Sequence, residues 1–259
     1  MSRGRRPDGF AMHYYSNGRA NTATEFTVES MQQQFASFPL IEQAIVEQRE
    51  LLDRLAAPRG ANQQPVGLLL DEWGVWDRMD PDEEKRYGRL FQQITMRSAI
   101  AGALGLNVIH RQAGKLVMTN IAQIVNVLHS LLLTDEDTCV RTTTYWAYEM
   151  TKSHLGQNSV ALEAAKDISV SASRKEKDAT VTFVNPSDEQ TYSVACSLSG
   201  GAATGATARI LHDSDLNAAN TFATPDRITP KALPVHAQGS SVTLELPPLS
   251  IATVLLKLA

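Results

Sequence analysis

Pro65-Val66-Gly67-Leu68-Leu69-Leu70-Asp71-Glu72-Trp73-Gly74-Val75-Trp76 is the stretch on which the reading of this chain turns. A short apolar run stops at two carboxylates and an indole, and a second indole follows. Bounded by turn signals, such a run has the pattern of a strand covered on both faces, as in a parallel sheet. Ligands in α/β folds bind where the carboxyl ends of strands emerge. Glu72 is therefore expected to project from a strand end into a cleft between aromatic walls. A carboxylate beside Trp suits sugar chemistry, because the indole face covers a sugar ring while the carboxylate attacks or stabilises the anomeric carbon. The same residues also fit a solvated carboxylate at the start of a loop.

Working outward, Gly9 to Met12 reads as a short buried strand that opens onto His13-Tyr14-Tyr15. The polar stretch Ser16 to Thr27, with Asn17-Gly18 as a turn signal, is expected to be a loop. Ile41, Ala44, Ile45, Leu51, Leu52 and Leu55 predict one face of a helix over Leu40 to Leu55. Pro58, Gly60 and Pro65 punctuate the chain before the strand that ends at Glu72. After Trp76, Asp80-Pro81-Asp82-Glu83 supplies a helix start: Asp80 caps, Pro81 suits the first turn, and Glu83 occupies the capping-box position. Tyr87, Leu90, Phe91, Ile94, Ser98 and Ala101 continue that helix at the right period. A shorter strand is expected near Gly114 to Met118, and a buried helix over Ile121 to Leu133, which is apolar nearly all round.

Strand and helix thus alternate through residues 8 to 134, the rhythm of consecutive βα units with a parallel sheet. From about Arg141 the period changes to two. Ile168/Val170, Val181/Phe183, Val194/Cys196/Leu198 and Val242/Leu244/Leu246 alternate with polar residues, and Asn185-Pro186, Gly200-Gly201 and Pro247-Pro248 separate the runs. The expectation there is an antiparallel β-sandwich closed by a last strand near Ile251 to Leu258. The division falls between residues 1–138 and 139–259.

Composition bounds the function classes. With 259 residues, 43% hydrophobic and 20% charged, the chain is long enough for a sizeable core. A net charge of −4 gives no footprint for nucleic acid or an anionic membrane, and Arg3, Arg5 and Arg6 alone do not change that. No run of about 18 apolar residues predicts a membrane span. The N-terminus lacks the apolar core of a signal peptide. Cys139 and Cys196 are too few for a disulfide framework or a zinc site. The chain reads as cytoplasmic. His110, His129, His154, His212 and His236 show no ligand spacing, and no Gly-rich phosphate loop precedes a helix, so neither a metal nor a cofactor is expected.

Several spaced segments together carry a resemblance. They are His13-Tyr14-Tyr15, Asp71-Glu72-Trp73-Gly74-Val75-Trp76, Asn120-Ile121-Ala122-Gln123-Ile124-Val125-Asn126-Val127-Leu128, Thr144-Tyr145-Trp146-Ala147-Tyr148-Glu149-Met150 and Asn220-Thr221-Phe222. In this order, with the switch from α/β to all-β, the chain resembles the α-L-arabinofuranosidases of glycoside hydrolase family 51 over essentially its whole length. The resemblance implies the last three βα units of a (β/α)₈ barrel followed by a β-sandwich, and a retaining mechanism. It implies that Glu72 is the nucleophile, and that His13 and Tyr15 hydrogen-bond the nucleophile and the sugar. Trp76 becomes an aromatic wall of the sugar subsite and Gln123 a contact to a sugar hydroxyl. Without the resemblance, His13 reads equally as a satisfied core histidine, Tyr14 and Tyr15 as packing residues, and Gln123 as a cap. Trp73 is expected in the core, facing away from Trp76.

One departure is large. The family's acid/base is the Glu of an Asn-Glu pair, and this sequence contains no such pair. The matching segment would lie upstream of residue 1, with the first five strands of a barrel that takes about 250 residues when complete. Retention needs two carboxyl groups about 5–5.5 Å apart across one sugar. Glu25, Glu29, Asp71, Asp77 and Glu149 are acids near the matching segments, and none sits in a motif that argues for the role. Two expectations follow. One is a hydrolase releasing terminal α-L-arabinofuranosyl groups from arabinan or arabinoxylan oligosaccharides, with a homo-oligomer or a missing N-terminal segment as partner. The other is an inactive remnant that binds sugar or serves a structural role.

Overall fold

The computed structural model describes residues 7–18, 21–56, 64–163 and 166–259. Arg3, Arg5, Arg6, Pro58 and Gly60 lie outside them. A three-stranded sheet is built from β1 (Gly9–Gly18), β2 (Gly67–Asp77) and β3 (Met118–Ile121), in that order, both pairs parallel. Between β1 and β2 run α1 (Val28–Ser37) and α2 (Pro39–Ala56). Between β2 and β3 run α3 (Pro81–Tyr87) and α4 (Met96–Arg111).

The expected parallel neighbours β1 and β2 are present, but both strands are longer than their apolar runs. β1 continues through His13-Tyr14-Tyr15 and Asn17-Gly18, and β2 continues past Glu72 to Asp77. Nor is β1 buried at its start. Among the described strands it pairs only with β2, and Phe10 is 44% exposed. The stretch after the 16–27 segment holds a helix that its Gln-rich composition hides. Thr27 caps α1, accepting from the Ser30 N–H at 3.1 Å, while Ser30 Oγ accepts from the Thr27 N–H at 3.1 Å. Met31 and Phe35, one turn apart, supply its buried face. In α2, Ile41, Ile45 and Leu52 enter the core, whereas Leu51 and Leu55 stay exposed.

A single helix from Asp80 through Ala101 is not formed. Asp80 does cap α3, accepting from the Asp82 and Glu83 N–H groups at 2.9 and 3.1 Å. Gly88 and Leu90 then take positive φ, 103° and 64°, which ends the helix. α4 starts afresh at the Thr95 cap, and every residue from Met96 to Ile109 is buried. The strand expected near Gly114 lies later, because Ala113–Lys115 is a 3₁₀ turn.

The helix expected over Ile121 to Leu133 is absent. After β3 the backbone takes left-handed φ at Gln123 (44°), Asn126 (60°) and Leu128 (53°), which no helix tolerates. Asn126 knits this segment by donating to Thr134 O at 3.0 Å and accepting from its N–H at 2.7 Å. The chain then forms a hairpin of β4 (Leu132–Asp135) and β5 (Thr138–Arg141). An apolar run without a clear period cannot tell these outcomes apart. Ile124, 62% exposed, shows that the run is not uniformly interior.

α5 (Thr143–Thr151) leads into the antiparallel part. Its strands are β6 (Asn158–Val160), β7 (Ser169–Lys175), β8 (Asp178–Asn185), β9 (Tyr192–Ser197), β10 (Ala203–His212), β11 (Lys231–Ala232), β12 (His236–Gln238), β13 (Ser241–Leu246) and β14 (Ser250–Leu258). They form a six-stranded sheet, β11-β10-β14-β8-β7-β6, and a three-stranded sheet, β12-β13-β9. Val170, Phe183 and Val254 of the first share an apolar cluster with Val242, Leu244 and Leu246 of the second, so the period-two runs bury their apolar face as read.

α4 joins the two parts. Trp73, Ile100 and Ala103 belong to one core with Val184, Leu211 and Ile251 of the six-stranded sheet. Polar contacts reinforce that join. Asn107 donates to Ser169 Oγ (3.1 Å) and accepts from Ser171 Oγ (2.8 Å), and Arg111 donates to Val170 O (2.9 Å). Asn220 is structural: it donates to Arg141 O and Ile228 O and accepts from the Ile228 N–H. Among the described residues there is no closed barrel, and no helix is long and apolar enough to cross a membrane.

Candidate active site

The site is built on an irregularity in β2. Along β1, Met12 pairs with Leu70 but His13 pairs with Glu72, and along β3, Thr119 pairs with Leu70 but Ile121 pairs with Trp73. β2 therefore carries one residue more than either neighbour between Leu70 and Trp73, a β-bulge at Asp71-Glu72. Bulges re-aim side chains that strict alternation would send to opposite faces.

Glu72 is held by β1. Tyr15 donates its hydroxyl to Glu72 Oε2 at 2.9 Å, and His13 Nδ1 lies 3.5 Å from the same oxygen. On the other side of the imidazole, Nε2 lies 3.2 Å from Asp71 Oδ1. Burial first, then the hydrogen bond and charge of Glu72, push the Tyr15 phenol well above its usual pKa, so it stays a donor. Both polar contacts fall on Oε2, and Oε1 makes no hydrogen bond among the described residues. Trp76 meets the Tyr15 ring edge-on, centroids 5.2 Å apart at 77°. His13, Tyr15, Glu72 and Trp76 are thus brought together from two strands. Gln123 stands just past the carboxyl end of β3, where Ala122 N–H donates to Trp73 O at 2.9 Å. It is exposed, and no hydrogen bond joins it to the other four among the described residues.

Trp73 turns the other way, as expected. It is fully buried, lies against Tyr148 (centroids 6.4 Å apart), and packs where Gly105 leaves room on α4.

Two supports beyond Glu72 were not legible in the sequence. Gly74 has φ 148°, a conformation that favours glycine, and a Cβ there would stand 2.9 Å from His129 Cβ. His129 is buried completely, accepts from the Val75 N–H at Nδ1 (3.1 Å), and donates from Nε2 to Ser98 O (2.9 Å), with Thr144 Oγ1 at 3.0 Å. Burial lowers its pKa to about 4, so the ring is neutral and its tautomer is fixed by the backbone N–H it faces. Further along, the Asp77 carboxylate pairs with the Arg97 guanidinium, both wholly buried, and Gln34 donates to Asp77 at 3.2 Å. Phe26 covers the guanidinium, 4.3 Å from its centroid. The only sequence signal for these supports is a histidine and an arginine inside apolar runs, and their partners are distant in the chain.

Among the described residues no group of His, Cys, Asp and Glu is placed to hold a metal ion. What the arrangement can do is hold one oxygen of the Glu72 carboxylate through Tyr15, at a bulge in the middle of a parallel strand, with the Trp76 indole against the Tyr15 ring.

The family described as α-L-arabinofuranosidase C-terminal domain matches residues 71–250. An intracellular exo-α-L-arabinofuranosidase of Bacteroides ovatus is 30% identical over 270 residues, 97% of this chain and 51% of that protein. The crystal structure of a glycoside hydrolase family 51 arabinofuranosidase from Xanthomonas axonopodis pv. citri superposes with a TM-score of 0.87 at 25% identity, covering 96% of this chain and 53% of that one. The arabinose complex of the Thermotoga maritima α-L-arabinofuranosidase gives a TM-score of 0.77 at 20% identity, covering 96% and 52%, and shows the shared fold. The chain spans about half the length of these relatives. Matched over most of its residues and beginning at the bulge that carries Glu72, the chain belongs to the α-L-arabinofuranosidase family, of which it carries the C-terminal part.

Proposed function

We propose that this chain contributes the nucleophile and part of the sugar cleft of a retaining α-L-arabinofuranosidase acting on terminal, non-reducing arabinofuranosyl groups of arabinan or arabinoxylan oligosaccharides. The observation that carries the reading is the asymmetry of Glu72, with Oε2 engaged by Tyr15 and His13 and Oε1 making no hydrogen bond among the described residues. Oε1 attacks the anomeric carbon, the bond to the leaving-group oxygen breaks, and a glycosyl-enzyme ester forms. Water then attacks the same carbon and returns Glu72 as carboxylate. Tyr15 and His13 hold the charge on Oε2 and set the angle of attack. Trp76 covers the apolar face of the ring, and Gln123 meets a hydroxyl at the mouth of β3.

The parallel strands are read as the last three of a (β/α)₈ barrel and the two antiparallel sheets as a β-sandwich, divided near residues 138 and 139. The cytoplasm is the proposed compartment, in keeping with the intracellular Bacteroides relative. The partner that covers β1 is a further segment of such a barrel or a second copy in a homo-oligomer, since a strand paired on one side invites another.

No residue here is assigned as the general acid. The sequence has no Asn-Glu pair, and Asp71 leaves the same strand as Glu72 rather than facing it. A second reading is an inactive remnant that binds sugar or serves a structural role. A dinitrophenyl α-L-arabinofuranoside separates the two, because its leaving group departs without protonation. An arabinosyl adduct on Glu72 in the intact mass, lost in Glu72→Gln, supports the nucleophile. Alkyl arabinosides are expected to react about 10²–10⁴-fold more slowly than in a complete enzyme, for want of acid assistance. Equal turnover by wild type and Glu72→Gln overturns the assignment.

A further inference from the structure

β2 outruns one of its two neighbours. β3 pairs with it only as far as Ile121 opposite Trp73, and Ala122 N–H reaches Trp73 O at 2.9 Å. β2 then continues through Gly74, Val75 and Trp76 to Asp77, and β1 accompanies it to the end, with Gly18 opposite Asp77. Backbone groups two residues apart in a strand face the same side, so the Val75 and Asp77 N–H groups point, like Trp73 O, to the side where β3 has already ended. Both residues are buried, and a buried N–H needs an acceptor. Two side chains supply it. Val75 N–H donates to His129 Nδ1 at 3.1 Å, and Asp77 N–H donates to Gln92 Oε1 at 2.9 Å. His129 and Gln92 are themselves buried, and their segments are joined: Phe91 and Val127 form an antiparallel bridge, and Leu128 N–H donates to Leu90 O at 2.8 Å. Between the two held amides stands Trp76, whose side chain alternates away from the buried Val75 and Asp77 and meets Tyr15.

We infer that His129 and Gln92 are positioning residues for the sugar wall, standing in for a third strand along the extension of β2 that carries Trp76. This rests on the reading of Trp76 given above. His129 can do so in one tautomer only. Nδ1 accepts from Val75, so Nε2 carries the proton, and it donates to Ser98 O at 2.9 Å in the first turn of α4. The ring therefore ties the strand to the helix. Gly74 lets the ring approach, since a Cβ there would stand 3.0 Å from Nδ1. Gln92 needs no such choice, because its amide oxygen always accepts. With both amides held, the backbone of Trp76 keeps the strand geometry that sets its indole against Tyr15, the residue that engages Glu72. Without them, the end of β2 is bonded by β1 alone and the wall loses its fixed place.

The test uses the full chain labelled with ¹⁵N. In wild type the Val75 and Asp77 amides are expected to exchange slowly with solvent, and two-bond ¹H–¹⁵N correlations to show His129 as the Nε2–H tautomer. His129→Leu and Gln92→Leu keep apolar bulk and remove the acceptor. Each is expected to speed exchange at its own partner amide by about tenfold or more and to shift the Trp76 indole N–H signal, assigned by its loss in Trp76→Phe. Each should also raise about tenfold the concentration of dinitrophenyl arabinofuranoside that half-saturates adduct formation, with a smaller change in the saturated rate. His129→Gln, whose amide offers an acceptor and a donor to the same two partners, is expected to restore all three. A residue that only fills space would leave the indole signal and the half-saturation unchanged in the leucine variants. An unmoved Trp76 signal in folded leucine variants overturns the inference. Fast exchange at Val75 and Asp77 in wild type, or an Nδ1–H tautomer of His129, overturns it even if those variants do not fold. The expected exchange and indole changes with no adduct on Glu72, wild type included, support the positioning role and overturn the nucleophile reading alone.

Discussion

Replacing Gly105 with alanine tests whether the strand carrying Glu72 is held in place by packing on α4. An ideal Cβ at position 105 would stand 2.3 Å from Trp73 Cζ3 and 3.0 Å from Cε3 and Cη2. Carbon atoms settle at about 3.5–4.0 Å, so the indole or the helix must retreat by more than about 1 Å. Trp73 has no exposed surface to retreat into, and it already lies against Tyr148. Overpacking of this kind costs about 1–3 kcal/mol. Alanine's better helix propensity returns about 1 kcal/mol. Because the clash is with an enclosed ring rather than a flexible tip, the upper end of the range applies and the net loss is about 2 kcal/mol. At about 2–4 °C per kcal/mol for a chain of this size, the unfolding midpoint should fall by about 4–8 °C. Thermal unfolding followed by circular dichroism measures it, with Gly114→Ala as control, since nothing lies within 4 Å of a Cβ there. Trp73 adjoins Glu72, so adduct formation on Glu72 should slow in the same variant. A midpoint equal to or above that of wild type would refute the packing argument.

Tyr15→Phe removes the donor to Glu72 Oε2 and is expected to slow adduct formation by about 10²-fold without lowering the unfolding midpoint; an unchanged rate would show that His13 alone suffices. His129 and His154 are buried and His110 is partly so, and this burial is the chief reason that the folded pKa values of His110, His129 and His154 fall to about 4, about 4 and about 3, below the unfolded value. The unfolded chain therefore binds more protons than the folded one below about pH 6.5, and stability is full above that pH and declines as pH falls toward 4, with a slope near pH 5 approaching three protons. Denaturant midpoints that are flat between neutral pH and pH 5 would contradict this. Asp77→Asn strands the buried Arg97 guanidinium without its carboxylate and should cost about 3–5 kcal/mol in chemical denaturation; a loss below about 1 kcal/mol would mean that the Thr22 and Ala23 carbonyls satisfy Arg97 by themselves.

Much of the architecture was legible because its signals are local. The run Gly67 to Leu70 is apolar at consecutive positions and forms the central strand of its sheet. Asp80-Pro81 caps a helix as its chemistry demands, and the period-two runs after residue 168 form antiparallel strands. The errors occurred where an apolar pattern fits more than one backbone. Leu90 and Gln123, at φ 64° and 44°, stop helices that hydrophobic spacing alone would continue. A residue's φ at such a point is set by distant partners, as when Thr134 fixes Asn126.

For the site, it was the family resemblance that singled out His13, Tyr15, Glu72, Trp76 and Gln123, and the structure brings the first four of them together. Sequence by itself determined the chemistry available: a carboxylate, a phenol, an imidazole and an indole. Which carboxylate oxygen is engaged, and that Asp71 shares His13 with Glu72, follow from a single extra residue in β2 relative to both neighbouring strands. Register between strands is settled by how side chains from separate segments pack, and Gly105, His129 and Arg97 supply that packing from positions far along the chain. A linear pattern has period but no register, so only the tertiary structure could decide which face each carboxylate occupies.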